Sequence, residues 1–142
     1  MSEYKLATKC VQSGYTPKNG EPRVLPIAQS TTYKYDSSVQ MAKLFDLEED
    51  GFFYTRLANP TVDAVEKKIA DLEGGVMAIL TSSGQAASMY SVLNVCKAGD
   101  HLISSSAIYG GTFNLFNKTL RDMGLEVDFI APDAPIEEIN KL

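Results

Sequence analysis

The chain has 142 residues, 44% of them hydrophobic and 22% charged, with a net charge of −5. That is enough to bury one core, and the acidic balance argues against a nucleic-acid or anionic-membrane surface, which needs clustered Lys and Arg. No apolar run approaches bilayer-spanning length, and the start MSEYKLATKC lacks a basic stretch followed by an apolar one, so no secretory signal is expected.

Residues 1–58 form a lead without sustained periodicity. Gly14 to Pro22 is turn chemistry, and Gln29 to Tyr35 is rich in β-branched and aromatic residues and reads as extended. A short helix is expected from Ser38 to Leu47, with Met41, Leu44 and Phe45 on one side. So long an irregular lead is uncommon inside a compact domain; it is either disordered or wraps over something such as a second subunit.

From residue 59 the pattern becomes regular. Asn59-Pro60 is a helix start, Asn as cap and Pro where its missing N–H costs nothing. Val62, Val65, Ile69 and Leu72 recur at helical steps as a core-facing stripe, and Gly74-Gly75 closes the helix. The apolar run Val76–Leu80 predicts a strand buried on both faces. A second helix carries Ala86, Met89, Tyr90, Leu93 and Cys96 inward. Leu102-Ile103 predicts a second strand, residues 111–123 a third helix with Phe113, Phe116, Leu120 and Met123 inward, and Leu125–Ile130 a third strand. A last helix opens at Pro135. Alternating strand and helix give a parallel α/β sheet, and three strands are few enough to suggest a truncated piece of a larger domain. Cys10 and Cys96 lack disulfide or zinc spacing and His101 has no ligand partner in sequence, so no metal site is expected and a reducing compartment is the simpler setting.

In a parallel sheet, ligands gather at the carboxyl ends of strands, where helices begin. The segment Thr81-Ser82-Ser83-Gly84-Gln85-Ala86-Ala87 lies at such an end. Ser82 or Ser83 is positioned to cap the helix, and the amides of Gly84 and Gln85 are free donors for an anion; a plain helix cap reads equally well. In Tyr54-Thr55-Arg56, taken as extended, the phenol and guanidinium face one way and would clamp an anion; an exposed loop arginine is the alternative. Tyr109 follows the second strand, with Gly110 and Gly111 leaving space beside it and Thr112 as a possible cap. Its ring would stack on a flat cofactor or pack over its own loop.

Taken together, a phosphate cradle, a stacking ring and a Tyr/Arg clamp fit a flat phosphorylated ring. With "VLPIAQSTTY" upstream, "FYTRLANPTVDAVEKKIADLEGG", "TSSGQAA" and "DHLISSSAIYGGTFNLF" resemble the N-terminal third of the Cys/Met-metabolism enzymes that use pyridoxal 5'-phosphate (PLP). Gln85 and "YGGTFNLF" look most like the O-acetylhomoserine sulfhydrylase branch. The resemblance implies the aspartate aminotransferase-like large domain (fold type I), of which residues 59–142 would be an incomplete part, with residues 1–58 contacting a neighbouring subunit. It implies that Ser83, Gly84 and Gln85 hold the cofactor phosphate and that Tyr109 stacks on the pyridine ring. Tyr54 and Arg56 would reach the phosphate of a neighbouring subunit's cofactor, with Tyr54 also assisting proton transfer. The implied reaction replaces the acetate of O-acetyl-L-homoserine by sulfide or methanethiol, in a cytoplasmic enzyme of methionine biosynthesis assembled as a dimer of dimers. The Schiff-base lysine of the family lies in a Ser-x-[Ser/Thr]-Lys context that no lysine here shares, so this chain alone is expected to be inactive. A methionine γ-lyase, a cystathionine lyase or γ-synthase, or a non-catalytic association module are the alternatives.

Overall fold

A computed structural model describes residues 4–142. The chain folds as two compact units, Met1–Leu80 and Thr81–Leu142. The lead is fastened to the helix that follows it, and both lie in the first unit.

The first unit holds α1 (Leu6–Gln12), α2 (Ser38–Phe45) and α3 (Pro60–Glu73). Asn59 is 5% exposed and uses both ends of its amide. Its Oδ1 accepts the amides of Thr61 at 2.9 Å and Val62 at 3.4 Å, capping α3. Its Nδ2 donates to the Ala28 carbonyl, the Tyr33 hydroxyl and Thr55 Oγ1 at 3.0–3.1 Å, drawing three parts of the chain onto the helix start. Thr61 adds a fourth tie, donating to the Pro26 carbonyl and accepting from the Ala28 amide, both at 2.9 Å. Gly74 ends α3 in the left-handed conformation, as its sequence predicts. Ser37 caps α2 by accepting from the Gln40 amide, and Leu44 is buried while Phe45 packs against Phe53 in a tilted pair with ring centroids 4.6 Å apart.

Three expectations are corrected here. Leu6–Gln12 forms a helix that no periodicity announced; it is held from outside, by Lys9 Nζ on Asp71 Oδ1 at 2.8 Å and by the Ser13 hydroxyl on the other Asp71 oxygen. The stripe of α3 is rotated: Ala64 and Ala70 are buried, whereas Val62, Val65 and Ile69 are about two-fifths exposed, because α1 packs on the small-residue side. Val76–Leu80 is not a strand. A strand needs a neighbour, and none pairs with it among the described residues; the Leu80 amide is bonded by Glu66 Oε1 at 2.7 Å and Val76 is fully exposed.

The second unit contains α4 (Gly84–Leu93), β1 (His101–Ser105), α5 (Gly110–Asn114), β2 (Glu126–Ile130) and the single turn α6 (Ile136–Ile139). Among the described residues the sheet therefore has two strands, parallel and in register from His101 opposite Glu126 to Ser105 opposite Ile130. The predicted third helix begins as α5 but continues through Leu115–Leu120 as a π-helical stretch, widening the turn spacing beneath Leu120. Val92, Leu120, Leu125 and Val127 make the core, with Leu93, Cys96 and Phe116 against it. Phe113 stacks on Phe129 at 4.2 Å. Tyr90 and Met123, expected inward, are 61% and 43% exposed, since a two-stranded sheet covers only part of each helix. His101 Nε2 meets Asp128 Oδ2 at 2.9 Å across the strands, a structural pairing set by the register.

Gly14 has φ of +89° and sits so tightly on α3 that a Cβ there would run into the Ala64 carbonyl. Gly14→Ala is expected to destabilise the first unit by roughly 2 kcal/mol, the scale of overpacking, seen as a lower urea midpoint and faster amide exchange in α1. The Asp71 carboxyl is held below the ordinary carboxylate value by the hydrogen bonds from Lys9 and then Ser13, which outweigh the opposing effect of desolvation. Its contribution to stability is therefore present above the unfolded value and lost as pH falls through the lower folded one. Urea midpoints at pH 7 and pH 3 should differ less in Asp71→Asn than in wild type.

Candidate functional site

The first amides of a helix have no acceptor within it. At α4, Ser83 Oγ accepts the Ala86 amide at 3.1 Å and the Ser83 carbonyl takes that of Ala87, so the amides of Gly84 and Gln85 remain as donors facing outward. Thr81 Oγ1 donates to the Ser83 carbonyl at 2.9 Å and steadies the approach to the helix. Of the two serines considered for the cap, Ser83 is the one. A Cβ placed on Gly84 meets nothing within 4 Å, so the space beside its Cα is open. With the positive end of a ten-residue helix behind them, they suit a phosphate or carboxylate.

Tyr109 precedes α5 and is 78% exposed. Gly110 has open space around it, but Gly111 does not: a methyl there would lie 2.6 Å from Tyr109 Cε1 and 3.0 Å from Gln85 Nε2. The ring therefore lies along the Gly111 backbone beside the Gln85 side chain. Thr112 does not cap α5; its hydroxyl donates to Gln85 Oε1 at 3.1 Å, joining the first turns of α4 and α5. Tyr109, Gly111 and Thr112 thus lie beside the Gln85 side chain, and Ser83 and Gly84 precede Gln85 at the start of α4. Thr112 was legible only as a cap, since its partner is 27 residues away; the paired glycines after an aromatic were the available signal for close packing.

Tyr54 and Arg56 belong to the first unit and form a pair of their own. The segment is not extended through Arg56: Tyr54 bridges Thr32 in antiparallel fashion, and the chain then turns, the amides of Leu57 and Ala58 both bonding the Tyr54 carbonyl at 3.0 Å. That turn folds the Arg56 guanidinium over the Tyr54 ring, 5.3 Å from its centroid, in a cation–π contact. Both groups are accessible enough to meet an anion, and Thr55 fixes the turn by donating to the Ser30 carbonyl. A groove of about 650 Å³ lined by Tyr15, Arg23, Leu25, Val65 and Lys68 also lies in the first unit and contains none of these residues.

Comparison with known proteins identifies relatives. The family of Cys/Met metabolism PLP-dependent enzymes matches residues 7–142. An O-acetyl-L-homoserine sulfhydrylase of Corynebacterium glutamicum is 50% identical over 135 residues, covering 94% of this chain and 31% of its own length. One of Leptospira meyeri is 41% identical over 133 residues, covering 93% of this chain and 30% of its own. A Campylobacter jejuni structure, named as an O-acetylhomoserine (thiol)-lyase and holding N'-pyridoxyl-lysine-5'-monophosphate, is 33% identical with a TM-score of 0.90 over 98% of this chain and 33% of that one. The chain thus spans about a third of the length of the relatives it matches.

Removing the cap should loosen the cradle first. Ser83→Ala is expected to cost about 1 kcal/mol, read as a lower urea midpoint of the second unit, and to speed exchange at the Ala86 amide in particular.

Proposed function

This chain belongs to the Cys/Met metabolism PLP-dependent enzyme family, with the α/β fold of fold type I, and from that premise we propose that it is the phosphate-holding third of an O-acetyl-L-homoserine sulfhydrylase. The observation that carries the reading is the start of α4, where the Gly84 and Gln85 amides have no helix acceptor and the exposed Tyr109 lies beside the Gln85 side chain. A PLP phosphate fits the Gly84 and Gln85 amides, and no side chain at Gly84 obstructs its approach. The Tyr109 ring supplies a face for a pyridine. Bound there, PLP acts as an electron sink that permits replacement of acetate by sulfide or methanethiol. Sulfhydrylase specificity is supported by the 41–50% identity to two enzymes of that name.

In this reading Tyr54 and Arg56 face the cofactor phosphate of a neighbouring subunit, the guanidinium neutralising its charge and the Tyr54 hydroxyl holding a proton near the ring. Stacking of the guanidinium on the phenol keeps both pointed together without an ion pair. The lead, residues 1–58, is then a subunit contact, and the assembly a cytoplasmic dimer of dimers. No helix among the described residues is long and apolar enough to cross a membrane. None of this chain's lysines has the Ser-x-[Ser/Thr]-Lys setting, so the catalytic lysine is supplied by sequence not present here.

The test has two arms. The protein is incubated with PLP; one portion is reduced with borohydride to detect a lysyl adduct, and a separate unreduced portion is offered O-acetyl-L-homoserine with sulfide, or methionine or cystathionine alone. The whole enzyme should form homocysteine only with O-acetyl-L-homoserine and sulfide, while the 142-residue chain gives no lysyl adduct and no turnover. Release of α-keto acid from methionine by the whole enzyme would overturn the sulfhydrylase reading. A specific adduct with turnover in the short chain would overturn the assignment of the lysine elsewhere.

A further inference from the structure

The Gln85 side chain spans from the first turn of α4 to the first turn of α5. Its Oε1 accepts from Thr112 Oγ1 at 3.1 Å, and its Nε2 stands 3.0 Å from where a Gly111 methyl would be. The Tyr109 ring lies on the same small space, 2.6 Å from that point. Gly111, lacking a Cβ, lets amide and ring close over the backbone together. Gln85 therefore has two separate attachments: its main-chain N–H belongs to the cradle, and its side chain is tied to the turn that carries the ring. Tyr109 is 78% exposed, so burial does little to restrain it.

We infer that Gln85 is a positioning residue, whose side chain, anchored on the Thr112 hydroxyl, sets the spacing between the α4 amides and the Tyr109 ring. The inference rests on the proposal that cradle and ring receive PLP. Phosphate and pyridine are joined by a short CH2–O linker, so both contacts form together only within the narrow range of separations that linker spans. A tether that holds this separation before binding lowers the ordering cost of the complex. It also gives the amide side chain of Gln85 a use that its main-chain donor does not require.

Gln85→Met keeps the main-chain amide and much of the volume while removing the acceptor. Thr112→Val removes the donor, and Thr112→Ser retains it. Pyridoxal 5'-phosphate is titrated into wild type, these three variants and the Gln85→Met/Thr112→Val double variant, followed by the absorbance and induced circular dichroism of the cofactor. Amide exchange across 109–113 is measured on each protein without cofactor.

The tether predicts roughly fivefold weaker binding in Gln85→Met and in Thr112→Val, the scale of one net hydrogen bond. The double variant should be no weaker than either single one, because both remove the same bond. Exchange across 109–113 should quicken in all three, and Thr112→Ser should restore wild-type values. Wild-type affinity in Gln85→Met and Thr112→Val, or losses that add in the double variant, would overturn the tether while leaving the cradle standing. Absence of cofactor binding by wild type would instead overturn the cradle, and the tether's purpose with it.

Discussion

An α-helix begins with amides that its own backbone cannot satisfy, and this chain meets that constraint in two opposite ways. At α3 the need is met in full, with Asn59 taking two amides through its oxygen while its nitrogen gathers Ala28, Tyr33 and Thr55. The result is a closed joint that shapes the first unit and fixes the turn on which Tyr54 and Arg56 sit. At α4 the need is met only in part. Ser83 answers one amide, and the two ahead of it are left for something outside the helix. The same physical deficit makes a hinge-pin in one place and a binding opening in the other.

The cores are built economically around these helix starts. In the second unit four buried side chains, Val92, Leu120, Leu125 and Val127, carry the packing, and the parallel pair β1–β2 delivers the chain to Tyr109 from its carboxyl end. In the first unit the closest approach is made with small residues, Gly14 against Ala64, and locked by Lys9 and Ser13 on Asp71. Close approach by glycine recurs at Gly111, where it brings a ring and an amide together instead of two helices.

What the sequence made legible was whatever is encoded locally. Asn59-Pro60 and Gly74-Gly75 bracket α3 because cap, proline and left-handed glycine act within a few residues. Ser83 and Gly84 were readable for the same reason. What escaped was set by partners distant in the chain. α1 has no periodic pattern and depends on Asp71, 62 residues after Lys9. Val76–Leu80 has the composition of a strand, but composition does not supply a neighbour. The Arg56 turn and the bond between Gln85 and Thr112 likewise depend on tertiary approach.

Val76–Leu80 has a bearing on biosynthesis as well as on form. It is an uncharged, proline-free, β-prone window with Val76, Met77 and Ile79 largely exposed, the kind of segment that seeds pairing between copies or engages chaperones. Synthesis proceeds from the N-terminus at roughly 5–20 residues per second, so this window leaves the ribosome seconds before Thr81–Leu142 is finished. Glu66 then matters beyond its helix. By holding the Leu80 amide it withdraws one edge donor from an incoming strand and places a carboxylate beside it. A strand adding at this edge would meet one donor fewer and a negative charge in its place.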